Sequence, residues 1–144
     1  MSLEHNLGEV TWVDPKSLTP HPKNKHPPEQ IEALIKIFKY QGLRKPITVS
    51  NRSGYIVTGH GTRIACIKMG MKKVPVNRQD FEDETQEILH LNADNGLAQW
   101  GVMDYAAINE DTLALGPFDT DLLGIKDWEP IKMPTLFQKW HKMN

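Results

Sequence analysis

Polar and apolar residues alternate over Glu9-Val10-Thr11-Trp12-Val13, which predicts a short strand ended by Asp14-Pro15. Residues 19–28 form a proline-broken basic loop. Pro28 and Glu29 then suit a helix start. Ile31, Leu34, Ile35 and Phe38 follow at i, i+3, i+4, i+7 spacing, with Lys36 and Lys39 off that stripe, and predict an amphipathic helix stopped by Gly42. Pro46–Ser50 and Tyr55–Thr58 read as two strands around the turn residues 51–54. A helix is expected from about Thr62 to Met69, ended by Gly70. Val74-Pro75-Val76 reads as a short edge strand, because proline removes a ladder donor. Glu82, Asp83 and Glu84 open a further helix that reaches about Asn95, and Asp104–Leu115 reads as another. Gly116-Pro117 breaks it, and Phe118–Ile125 reads as a turn with a short packed segment.

The segment richest in chemistry is Tyr55–Gly70. An apolar strand runs into Gly59-His60-Gly61, and a helix with an early Arg63 follows. Glycines let backbone approach a ligand, and a helix start presents free amides and a dipole that favours an anion. The fork of Arg63 suits phosphate. The corner is therefore a candidate phosphate site, for a nucleotide or a nucleic-acid backbone. A tight strand-to-helix turn with a surface arginine is the alternative.

At 144 residues the chain is long enough for one domain with a real core. No apolar run approaches the roughly 20 residues of a membrane span. Residues 1–8 carry no signal-like apolar core, and the lone Cys66 fits a reducing compartment, so a cytoplasmic location is expected. The net charge of −1 hides a strong asymmetry. Lys16–Arg78 holds 13 Lys or Arg against two acids, a net of +11. Gln79–Pro130 holds 13 acids against Lys126 alone, a net of −12. A basic half points to an anionic partner. The acidic half has three available roles: docking on the basic half, holding a cation, or meeting another protein.

Four stretches give the chain a resemblance to the ParB/sulfiredoxin fold superfamily, above all to ParB-like nuclease domains of phages and mobile elements. They are Leu18–Asn24 with His26; Gln30-Ile31 through Gly42 and Pro46-Ile47; Gly59–Cys66 with Gly70 and Val74–Val76; and Asn92-Ala93-Asp94-Asn95. The resemblance covers roughly residues 10–125. It implies an α/β (α+β) fold, a small mixed sheet wrapped by helices. The expected organisation is a disordered 1–8, a ParB/sulfiredoxin-like domain over 9–98, a helical extension packed on it over 99–129, and an irregular 130–144. In such families the glycine corner handles the phosphates of a nucleotide or of a phosphorylated substrate. By position that role falls on Gly59, His60, Gly61, Thr62 and Arg63. Partition proteins usually carry a glutamate and paired arginines after the first glycine, where this chain has His60, Gly61, Thr62 and a single Arg63. Sulfiredoxins carry a cysteine at the position of Gly61. Cys66 lies a turn further on, as a core residue would, so sulfinic-acid reduction is rejected.

His21, Lys23, Asn24, Lys25 and His26 resemble the family's ligand-facing loop. His60 is a candidate general base, phosphate ligand or metal ligand. Asn92 and Asn95 share a helix face with Ile88 and are candidate ligand contacts. Asp94 is a candidate catalytic group and magnesium ligand. The expected function is a nucleotide- and DNA-binding protein, taking ATP or CTP with Mg2+ and contacting DNA largely without regard to sequence. NTPase or nuclease activity would run through His60 or Asp94. The alternatives are a non-catalytic interaction module using the acidic half, and a small-substrate kinase of the same fold.

Overall fold

The computed structural model describes residues 7–24, 30–100, 105–115 and 120–123. The chain divides into two compact units, Met1–Gly101 and Val102–Asn144. In the second unit the described elements are helix α4 (Tyr105–Leu115) and a 3-10 turn (Thr120–Leu123).

The first unit is built on a five-stranded mixed sheet. Its strands are β1 (Val10–Val13), β2 (Thr19–Pro20), β3 (Ile47–Ser50), β4 (Tyr55–Thr58) and β5 (Val74–Gln79), in the order β1-β5-β3-β4-β2. β3 runs parallel to β5 and antiparallel to β4, and β2 lies parallel to β4. Helix α1 (Ile31–Gln41) packs on α2 (His60–Lys68), and α3 (Glu84–Trp100) packs on β4.

Both faces of the central strands are covered. Ile47, Val49, Ile56, Val74 and Val76 form one core with Leu18 and Cys66, and Cys66 brings α2 onto that face. Side chains alternate along a strand, so Thr48 and Ser50 turn to the other face. They are buried there too, as are Val57 and, on α3, Glu87 and Leu91. Continuous burial of all four residues of β3 is what a two-sided sheet demands. Burial raises the Cys66 thiol above its ordinary range, as befits a packing residue.

β5 is an interior strand, not the edge strand its proline predicts. Pro75 faces Trp12 of β1, whereas pairing with β3 begins only at Val76, opposite Ile47. At Pro75 the strand is thus bordered on one side only, and the missing N–H is tolerated locally while the rest of β5 pairs on both sides. β2 falls inside the stretch read as an irregular loop. Two residues against Tyr55 and Ile56 are too short to leave a periodic signal. Among the described residues no helix is long and apolar enough to cross a membrane.

Ile47 is fully buried and touches both the core and the glycine corner. Ile47→Ala is expected to lower stability by about 2–5 kcal/mol, the range for deleting a buried aliphatic side chain. Urea unfolding followed by circular dichroism measures this, and a loss under about 1 kcal/mol would contradict the packing described.

Candidate functional site

Helix α2 begins directly at the end of β4. Gly59 caps it in the left-handed region (φ 99°), a conformation that favours glycine. A methyl group built there would lie 3.1 Å from Ile47 Cγ1 and 3.2 Å from Ile47 Cα. At Gly61 it would lie 3.1 Å from Leu34 Cδ1 of α1. The two glycines thus serve close packing, Gly59 against β3 and Gly61 against α1. Their lack of side chains has a second effect: Gly59 makes no side-chain cap, and the first turn of α2 carries no acid. Within that turn no carboxylate balances the positive end of the helix.

Arg63 reaches sideways. Its Nε donates to the Pro15 carbonyl at 2.8 Å, holding the 3-10 turn Pro15–Ser17 beside α2. His60 reaches the other way. Its Nε2 accepts the His21 backbone N–H at 3.1 Å, which ties the loop after β2 to the corner. That lone pair is thereby engaged, and His60 acts in this arrangement as an anchor for the loop.

The same loop is tied to α3 by two side chains. Lys23 Nζ binds Glu84 at 3.0 Å on the surface, and this bond holds the Glu84 carboxyl below its ordinary value. His21 is buried, with its ring edge-on to Tyr55 at 5.4 Å. His21 Nδ1 accepts from the Lys23 N–H at 3.1 Å, so the ring proton sits on Nε2, which faces Glu87 Oε2 at 3.5 Å.

Glu87 is fully buried on the inner face of α3. The Ser50 hydroxyl donates to its Oε1. Arg52 embraces it with Nε on Oε1 at 3.0 Å and Nη2 on Oε2 at 3.3 Å. Burial pushes the Glu87 carboxyl up. Hydrogen bonds from Ser50, Arg52 and Ser53 and the charge of Arg52 outweigh that and leave it below its ordinary value. Ser50 and the histidine both approach the carboxylate rather than each other, so the cluster is not a nucleophile relay; it is a knot joining β3, the β3–β4 turn, α3 and the loop.

The structure therefore brings His21, Lys23 and Asn24 to the corner side of the sheet through His60, with Asn24 N–H closing a turn on the His21 carbonyl. Lys25 and His26 lie outside the described residues, as do the side chains of Asp94 and Asn95. Asn92 is exposed, and its amide donates back to the Ile88 carbonyl at 2.9 Å. The buried face of α3 runs through Glu87 and Leu91, which turns Asn92 to solvent. Among the described residues no group of three His, Cys, Asp or Glu could hold a metal ion. Ser50, Arg52 and Glu87 were not singled out by sequence. The available signal was Glu87 itself, a charge one helical turn before Leu91.

No protein-family model matches the chain. A ParB-like protein of Sulfolobus acidocaldarius is 29% identical over 84 residues, 58% of this chain and 41% of that protein. Among solved structures, the C-terminally truncated chromosome-partitioning protein ParB from Caulobacter crescentus, complexed with CTP-gamma-S, superposes with a TM-score of 0.62 at 20% identity. The match covers 75% of this chain and 63% of that one. The chain thus spans less than two thirds of either protein. It has a ParB-like fold, with the mixed sheet and flanking helices expected from sequence.

Glu87→Gln is expected to lower stability at neutral pH by about 1–3 kcal/mol, the cost of leaving buried partners imperfectly paired. The folded carboxyl lies below its ordinary value of 4.5, so its stabilisation is complete above about pH 4.5 and fades as pH falls through the lower folded value. The gap between wild type and Glu87→Gln should therefore close on acidification below about pH 4.5. Urea unfolding across a pH series tests this, and a gap that stays constant or widens in acid would refute the charged knot.

Proposed function

We propose that this chain binds a nucleoside triphosphate at the start of α2, with its phosphates on the amides of Gly61 and Thr62 and the hydroxyl of Thr62. The observation that carries this reading is the uncapped, acid-free first turn at Gly59–Arg63, in a stretch with no Asp or Glu between Glu32 and Asp80 against ten Lys or Arg. A helix start with no side-chain cap and no acid in its first turn, in a basic stretch of sequence, favours a multivalent anion. Arg63 supports it: Nε is spent on Pro15, while its terminal nitrogens make no hydrogen bond among the described residues. The loop 21–24, pinned by His60 and Glu87, borders the same corner and would shape the space beside the phosphates.

The Caulobacter protein is complexed with a CTP analogue, which makes CTP the first nucleotide to try and ATP the second. Mg2+ would enter with the phosphates it bridges. The reading is one of binding; of the two carboxylates that meet the loop, Glu84 is paired with Lys23 and Glu87 is locked in its buried knot. The basic segment that surrounds the corner extends the proposal to nucleic-acid phosphates as a second partner.

Thr62→Glu tests the corner without disturbing it. A carboxylate in the first turn favours the helix but occupies the same positive end that an incoming phosphate needs. Calorimetric titration of CTP and of ATP, each with Mg2+, should show saturable binding to wild type and at least a tenfold weaker response, about 1.4 kcal/mol, for Thr62→Glu. The variant should melt no lower than wild type. Equal binding by both proteins, or none by wild type, would sink the proposal.

A further inference from the structure

The basic residues of the first unit are of two kinds. Lys23, Arg52 and Lys68 are paired with Glu84, Glu87 and Glu32. Lys16, Lys39, Arg44, Lys45, Lys72, Lys73 and Arg78 are exposed, and their side chains make no ion pair or hydrogen bond among the described residues. Arg78 lies toward the far end of β5 and Lys39 on α1, and the fold collects the other five at one end of the sheet. β3 and β5 run parallel with Ile47 opposite Val76, so the segments that enter them, 42–46 and 70–73, emerge side by side. Val13 pairs with Val74, which places the Pro15–Ser17 turn and Lys16 at the same end. Thr48 pairs with Thr58, which places the Gly59 corner there as well.

The acids go the other way. Asp80 follows the far end of β5, where Asn51 binds both the Gln79 carbonyl and the Asp80 carboxylate, and Glu82–Glu87 continue from that end into α3. At the basic end the described carboxylate beside the rim is Asp14, which caps the Pro15–Ser17 turn.

From this segregation we infer that the sheet end formed by Lys16, Arg44, Lys45, Lys72 and Lys73 is a docking rim for the phosphate backbone of duplex DNA. It deepens the nucleic-acid part of the function proposed above, on which it rests, and does not depend on the nucleotide part. From β4 to β1 the rim crosses three strand intervals of about 4.8 Å, roughly 14 Å in all. One strand of B-DNA presents about four phosphates over that length, at about 3.4 Å of axis each. Five unpaired cations on short loops match that charge density without a helix entering a groove. Such contacts position a duplex and carry no sequence information.

The test is fluorescence anisotropy with a mixed-sequence duplex of about 25 base pairs, titrated at several salt concentrations. It compares wild type, the quadruple variant Arg44→Gln/Lys45→Gln/Lys72→Gln/Lys73→Gln, and the control Lys68→Gln/Arg78→Gln, which removes one paired cation and one at the opposite end of the sheet. All four rim positions are exposed, so the quadruple variant should keep the wild-type melting midpoint to within a few degrees; Arg44→Gln/Lys72→Gln serves if it does not. Expected are salt-sensitive binding by wild type and a loss of at least tenfold in the quadruple variant. Its log–log salt slope should be smaller by about 3–4, at about 0.9 per phosphate contact. The control should bind within about twofold of wild type. Equal affinity and slope in wild type and the quadruple variant would overturn the rim while leaving DNA binding standing. No saturable duplex binding by wild type would overturn the nucleic-acid reading itself. An equal loss in the control, or tighter uptake on phosphatidylserine vesicles than on duplex, would overturn the assignment of the rim to DNA.

Discussion

A single buried carboxylate holds the loop, the sheet and the third helix in register. Glu87 is fully buried on α3, where an unpaired charge would be untenable. It is kept ionised because Ser50, Arg52 and His21 converge on it from β3, from the β3–β4 turn and from the loop. A buried ion pair is weak evidence for net stability, since desolvation offsets much of the attraction. Its geometric consequence is firmer. Moving α3 along the sheet, or swinging the loop away, would take partners from a buried carboxylate.

The constraint reaches the glycine corner in two steps. His21 is oriented by Glu87 on one ring nitrogen and by the Lys23 N–H on the other, and its own N–H is then aimed at His60. His60 is the first residue of α2, so the helix start and the loop share one linkage. On the opposite flank Arg63 fixes the Pro15–Ser17 turn. The corner is thus flanked on both sides by groups that are hydrogen-bonded elsewhere, while Gly59 gives its amide end no side-chain cap.

Much of the local structure was legible in the residues. The apolar stripe Ile31-Leu34-Ile35-Phe38 marked α1, the hairpin followed from its turn residues, and the strand-to-helix corner followed from Gly59-His60-Gly61. Helix boundaries shifted by a few residues, as for α3, which continues past Asn95 to Trp100. The edge reading of Val74–Val76 failed because a proline's cost depends on whether a neighbour lies on each side, and register decides that. Sequence marks the glycines as openings for a ligand, whereas what a side chain there would meet, Ile47 and Leu34, is distant in sequence and brought near only by packing.

By itself the sequence determined the periodicities, the glycine-flanked helix start and the separation of charge into two halves, because each is written in the order of residues along the chain. Tertiary structure alone decided which of the described cations are paired with acids, and that Glu87 joins Ser50, Arg52 and His21 in one polar network. Pairing of Lys68 with Glu32, or of Arg52 with Glu87, spans more than thirty residues and exists only once α1 has packed on α2 and α3 on β4. Charge is written locally, but its field is set by distances that only the fold supplies.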